Sequence, residues 1–183
     1  MLLWTANEIT IDINTEIPLL VQLKIVTITR FMSLPIILQP GEGQTVQIRT
    51  STCTFKATGE HTHRHFGLFE FVMEPGTQGA SPHIHKELTE MFYVVEGEVE
   101  LVLDQRRVNA TPKTFILVPQ NTPHGFSNPG TSRSTLLILF CPADSREQYF
   151  QGLAQLTKDG RQPSEEELLE LMQKFNQYPV PKV

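Results

Sequence analysis

Cysteine is scarce in this chain, and its two copies, Cys53 and Cys141, stand far apart with no CxxC pair. That argues against a disulfide framework and for two buried packing thiols in a reducing compartment. Basic charge is also short: 15 Lys and Arg against 20 Asp and Glu give a net charge of -5 and a pI near 5.7. Such a balance leaves no electrostatic footprint for nucleic acid or an anionic membrane, so small molecules or proteins are the expected partners. No window reaches the roughly 18 uninterrupted apolar residues of a membrane-spanning helix. The first 31 residues carry acids inside their apolar runs and lack a cationic lead, so they fit no signal peptide. The expectation is a soluble, cytoplasmic protein. With 183 residues, 39% of them hydrophobic, one domain with a full core is the default, or one domain with a small appendage.

What is present falls into three parts. Residues 1–43 read as an N-terminal extension and lead-in strand; "MSLPIILQPGEGQTV" resembles a natural protein start, so translation is expected to begin at Met32. Residues 44–141 are short β-rich runs punctuated by Gly, Pro and Asn: "TVQIRT", "FGLFEFVM", "EMFYVVEG", "EVELVLD", "TFILVP", "HGFSN" and "STLLILF". Close, regular spacing of such runs predicts an all-β sandwich or barrel. Residues 142–183 turn helical. "PSEEELLELMQKF" opens on Ser164 as an N-cap with Glu167 three residues later, a capping box, and Leu168, Leu169, Leu171, Met172 and Phe175 form an expected buried stripe. These helices are expected to pack on the outside of the β domain.

Histidine is concentrated in two places. "HTHRH" holds His61, His63 and His65, "HIHKELTE" holds His83 and His85, and His124 stands alone. Successive strand side chains point to opposite faces, so His83 and His85 share a face about 6.6 to 6.8 Å apart and can converge on one ion. Glu90 follows five residues after His85, at the start of an apolar run where a carboxylate is otherwise unwelcome. Phe92 and Val94 share its parity, and Phe126 shares that of His124, so these are candidates to line an apolar pocket, or else ordinary core. On "FGLFEFVM" the odd positions Gly67, Phe69, Phe71 and Met73 form the more apolar face, expected inward. On that parity His65 is a candidate to hydrogen-bond substrate or a metal-bound water. The alternative for HTHRH, which has no carboxylate at useful spacing, is a polar strand end near the rim with Thr62 and Arg64 turned to solvent.

"PGTQGASPHIHKELTEMFYVVEG" resembles the first cupin motif, matching at His83, His85, Glu90 and Gly97, and "PQNTPHGFSN" resembles the second, matching at Pro119, His124 and Asn128. Lys113 and Asn121 stand where the family usually has Gly, positions that tend to need φ > 0, and Gly76 is one residue out of place. The resemblance covers roughly residues 45–141, and the helical tail is similar to that of single-domain, quercetin-dioxygenase-like cupins. It implies a double-stranded β-helix, a jelly-roll barrel, with His83, His85, Glu90 and His124 holding one divalent transition metal ion: Fe, Mn, Ni, Cu or Zn. Three imidazoles and a carboxylate leave two octahedral positions open. It further implies Glu90 as catalytic base; around such a site the strand parities above put His65, Phe69, Phe71, Phe92 and Phe126 toward substrate. The implied function is a dioxygenase acting on a small phenolic or enolic compound. The alternatives are a non-oxidative metal-assisted isomerase, lyase or hydrolase, a non-catalytic binding or sensing cupin, and a metal-free structural role. Such barrels often pair through a sheet face, so a homodimer is expected.

Overall fold

The computed structural model describes residues 35–180. The expectations for residues 1–31, including a start at Met32, lie outside the described residues, and residues 35–43 are exposed irregular chain rather than a lead-in strand. In chain order the strands are β1 (Gln44–Ile48), β2 (Ser51–Ala57), β3 (Gly67–Met73), β4 (Thr77–Gln78), β5 (His83–Ile84), β6 (Thr89–Glu96), β7 (Val99–Leu103), β8 (Arg106–Ala110), β9 (Phe115–Val118), β10 (His124–Asn128), β11 (Ser134–Cys141) and β12 (Tyr178–Pro179). Two helices, α1 (Arg146–Leu156) and α2 (Glu165–Lys174), stand between β11 and β12. One sheet runs β1-β2-β3-β11-β6-β9; the other runs β12-β5-β10-β7-β8, with β4 also on β10. All the pairings are antiparallel, and the two sheets form an all-β barrel, as the spacing predicted, of the jelly-roll kind that the resemblance implied.

Alternation explains the barrel interior. On β3, Gly67, Phe69, Phe71 and Met73 are buried while the residues between them are only partly so. On β6, Glu90, Phe92 and Val94 are buried while Tyr93 and Val95 face out. The inward aromatics meet edge to face: Phe69 packs on Phe55, Phe140 and Phe150 at centroid distances of 5.4, 5.8 and 4.9 Å. Truncating such a ring to alanine typically costs about 3 to 5 kcal/mol. The strands that the apolar pattern did not mark are β2, β8 and the short β4, β5 and β12. β8 reads "RRVNA", polar because one face is solvated, and it is held by hairpin pairing to β7 through Asp104 at φ 54°.

The turns explain the departures from motif. Gly97 has φ 70°, and a Cβ there would lie 2.3 Å from the Arg133 carbonyl oxygen. Lys113 and Asn121 both adopt positive φ, 77° and 61°. Lys113 is held in the left-handed region by donating its N–H to the Val94 carbonyl at 2.8 Å. Asn128 is a clamp rather than a ligand: its Nδ2 donates to the carbonyls of Met73, Glu74 and Ser132, and its Oδ1 accepts from the Gly130 N–H.

The capping box at Ser164 and Glu167 is formed. The expected stripe on α2 is not fully buried: Phe175 is, Leu168, Leu171 and Met172 are half-covered, and Leu169 is exposed. Leu169 lies one residue, about 100°, around the helix from Leu168, so it leaves the face that meets α1. α1 is no outer layer. Tyr149 and Phe150 join the barrel's own aromatic core, against Phe69, Phe71 and Phe140. Among the described residues no helix is long and apolar enough to cross a membrane. Cys53 is buried and Cys141 exposed, both free, which corrects the expectation of two buried thiols.

Candidate metal centre

His83 opens β5 and His124 opens β10, and the two are directly paired across the antiparallel ladder. Their rings stand 4.3 Å apart between centroids. Glu90 comes from β6 in the opposite sheet, so the cluster bridges the two sheets. His85 follows the end of β5 and turns its ring to the same point, with its Nε2 3.2 Å from that of His83. Glu90 Oε2 lies 2.7 Å from His124 Nε2, 3.1 Å from His85 Nε2 and 4.0 Å from His83 Nε2. All four side chains are buried.

The outward nitrogen of each ring fixes its tautomer. His83 Nδ1 donates to the Ser81 carbonyl at 2.8 Å, His124 Nδ1 to the Thr122 carbonyl at 2.8 Å, and His85 Nδ1 to the Asn176 carbonyl at 2.6 Å. A carbonyl can only accept, so each Nδ1 carries a proton and Nε2 is the nitrogen whose lone pair is available for ligation, on His124 once the proton it donates to Glu90 has left. Two such lone pairs 3.2 Å apart, on His83 and His85, repel unless a cation lies between them. Divalent ions bind imidazole nitrogen at about 2.0 to 2.1 Å, which places neighbouring ligand atoms about 3 Å apart. The donor set and its spacing therefore fit a transition metal ion, and His83, His85, Glu90 and His124 form the group that could hold one.

Charge in the cluster is arranged around Glu90. Burial alone would raise its carboxyl pKa, but the hydrogen bond and charge of His124, then those of His85, overcome that and hold it well below the usual range. Burial opposes a protonated His124, yet the Glu90 hydrogen bond and charge outweigh it and raise His124 above its ordinary value. His83 is held well below the ordinary histidine range by burial and then by His124.

A cavity of about 170 Å³ opens onto the cluster, lined by His83 and Glu90 and by Phe71, Phe126, Ile138 and Phe140. Of the side chains expected at substrate, Phe71 and Phe126 line it. Phe69 and Phe92 do not; both are packed core, Phe92 with its ring 5.5 Å from that of Phe126. His65 is not brought to the site. HTHRH is an exposed turn, not a strand end, because His63 and Arg64 take positive φ, 51° and 66°. The turn is closed by Arg64 N–H to the Gly59 carbonyl at 2.7 Å and by His61 Nδ1, which accepts from the Thr58 N–H. Strand alternation therefore does not apply to it.

Several residues at the site were not foreseen, Ile138 and Phe140 of β11 among them. Asn176, beyond α2, supplies the carbonyl that orients His85, and its Oδ1 accepts from the N–H groups of Lys86 and Glu87 at 2.7 and 3.2 Å. Arg146 and Gln177 also line the cavity. For Arg146 a signal existed: with Tyr149, Phe150 and Leu153 it occupies the i, i+3, i+4, i+7 face of α1, a charge in the apolar stripe. For Asn176 there was none, since a backbone carbonyl does the work.

Comparison with known proteins agrees with this geometry. The family profile described as the cupin domain matches residues 69–140. Over 95 residues, 51% of this chain, the sequence is 34% identical to a quercetin 2,3-dioxygenase of Bacillus subtilis, of which the chain covers only 27%. Among solved structures, a predicted oxalate decarboxylase from Thermotoga maritima aligns at a TM-score of 0.55 and 15% identity, over 58% of this chain and 99% of that one. A sugar phosphate isomerase from a cupin superfamily, from Silicibacter pomeroyi, aligns at 0.53 and 20% identity over 60% and 77%. At these identities the structures speak to the fold alone. Residues 69–140 thus match a cupin domain, within a jelly-roll barrel whose paired histidines, glutamate and later histidine meet between the two sheets.

Proposed function

We propose that this protein is a metal-dependent dioxygenase acting on a small phenolic or enolic compound. The observation that carries the reading is the convergence of three Nε2 nitrogens and the Glu90 carboxylate on one point at the wall of an apolar cavity. The 34% identity to a quercetin 2,3-dioxygenase over half of the chain supports the oxidative choice. His83, His85, His124 and Glu90 would hold one divalent ion of Fe, Mn, Ni, Cu or Zn, which when bound would supply a Lewis acid and, for every ion of that set except redox-inert Zn, a route for electrons to oxygen.

The chain's own groups divide the remaining tasks. The backbone carbonyls of Ser81, Thr122 and Asn176 keep the imidazoles in the ligating tautomer. Glu90 Oε2, held ionised, accepts the hydroxyl proton of an enol or phenol brought into the cavity. Phe71, Phe126, Ile138 and Phe140 exclude water and pack the substrate body.

Purified protein is expected to carry a stoichiometric transition metal and, loaded with Fe, Mn or Ni, to consume oxygen when offered quercetin or a simple diketone. Conversion that proceeds equally without oxygen would instead favour an isomerase, lyase or hydrolase, and saturable binding without turnover a sensing cupin. Absence of metal under all loading conditions removes the reading. We also propose a homodimer. Tyr93, Val95, Phe115 and Leu117 are exposed at 40, 46, 59 and 52% on the outer face of β6 and β9, and among the described residues β9 ends its sheet with an unpaired edge that a second copy could extend. A monomer in sizing chromatography at micromolar concentration would overturn this.

A further inference from the structure

The cavity contains a charge that the metal cluster does not use. Arg146 is 2% exposed and lines the same cavity as His83 and Glu90. Its guanidinium lies over the rings of Tyr149 and Phe140, 4.1 and 4.5 Å from their centroids. Nη1 donates to the Phe175 carbonyl at 2.9 Å and Nη2 to Gln177 Oε1 at 2.8 Å, while the Nε–H has no hydrogen-bond partner among the described residues. No carboxylate lies within ion-pair distance of it among those residues. A guanidinium stays charged even where burial lowers its pKa, as it does here, and a buried unpaired charge is costly.

The cavity's charges are unbalanced as well. Glu90 is the one carboxylate among the lining residues, and it is committed to the histidines; Arg49, exposed, is a second guanidinium on the lining. Three neutral imidazoles, one carboxylate and a divalent ion sum to +1, and Arg146 makes it +2. A neutral substrate would leave that excess in an aromatic enclosure. The volume, about 170 Å³, is close to the roughly 150 Å³ of an engineered cavity that takes benzene, which suits a body about one ring in size at the inner end.

We propose that the substrate is a compact organic acid, about one ring in size, whose carboxylate pairs with Arg146 while its apolar body packs against Phe71, Phe126 and Ile138. This rests on the cavity being the substrate site of the proposed reaction and narrows that reading to an anionic substrate class. Arg146 is then a specificity-determining residue supplied by the helical tail rather than by the barrel motif. A purely structural arginine, holding the Phe175 carbonyl and Gln177 in place, would share every contact above except the need for an anion.

The test uses binding, not turnover. Metal-loaded protein is titrated by calorimetry with benzoate, phenylacetate and hexanoate, each beside its neutral amide. At least one acid is expected to bind about tenfold or more tightly than its amide. In Arg146→Gln that preference is expected to vanish with metal content unchanged, and Arg146→Lys is expected to keep part of it, since lysine retains the charge without the planar fork. If Arg146→Gln does not fold, the same titration of wild-type protein stripped of metal decides: a preference for acids that persists there supports Arg146, and one that disappears with the ion overturns the proposal. Acids that bind no better than their amides, or no binding by any of them, overturn the proposal. Oxygen uptake with a neutral enol but no preference for acids would sink this inference and leave the dioxygenase reading standing. A clear preference for acids with no oxygen uptake would do the reverse.

Discussion

HTHRH and the HIH of "HIHKELTE" are near neighbours in sequence and have almost the same composition, yet the protein treats them in opposite ways. The first is an exposed turn with two residues in the left-handed region; the second is a buried strand end whose rings are each fixed by a backbone carbonyl. What separates them is not the number of imidazoles but what holds the outward nitrogen and what closes the far side. His83 and His85 have carbonyl acceptors behind them and Glu90 and His124 in front. His61 instead spends its Nδ1 on closing its own turn.

The contrast can be broken most forcefully at His83. His83→Ala is expected to lower transition-metal affinity by more than the roughly 10- to 100-fold typical of losing a supporting residue. Competition against a chelator, read by elemental analysis, measures it; unchanged affinity would mean the cluster is not the metal site. A subtler probe is pH. In the cluster His124 donates from both ring nitrogens, to Thr122 and to Glu90, and its pKa is raised. Ligation requires that Nε2 proton to leave, so metal uptake below the raised pKa should release about one proton from His124, and affinity should fall as pH drops. Calorimetry in buffers of different ionisation enthalpy reads the proton directly; uptake with no proton exchange at pH 6 contradicts the assigned protonation. The smallest effect belongs to the other cluster: replacing His61, His63 and His65 together by alanine should leave metal content and any turnover unchanged. Each should shift stability by no more than about 0.5 kcal/mol, as exposed substitutions do, with His61 the largest because it caps a turn. A drop in metal occupancy in that triple variant would erase the distinction between the clusters.

How much of this was legible follows the range of each interaction. Period-2 alternation is local, so the inward face of β3 and the parity of Glu90, Phe92 and Val94 could be read directly from the chain. The two motif spacings locate the four candidate ligands, and Lys113 and Asn121 stand out as positive-φ positions because the resembled family usually has Gly there. HTHRH misleads because its alternating letters mimic a strand, whereas "TGE" before it begins a turn. Parity could not say which inward aromatic reaches a cavity, so Phe69 and Phe92 were grouped with Phe71 and Phe126. Least legible was the contribution of the tail, where the His85 contact spans 91 positions and uses a main-chain oxygen that any residue could have provided.

That contact ties two parts of the chain into one equilibrium. The last turn beyond α2 grips His85 through Asn176, and β12 lies along β5 with Pro179 opposite His83. Whatever favours the ligating pose of those histidines must favour the docked tail by the same free energy, and a tail that peels away must loosen the ion by an equal amount. The end of the chain is thus a thermodynamic partner of the ion, and protease resistance near residue 176 becomes a gauge of whether the centre is filled.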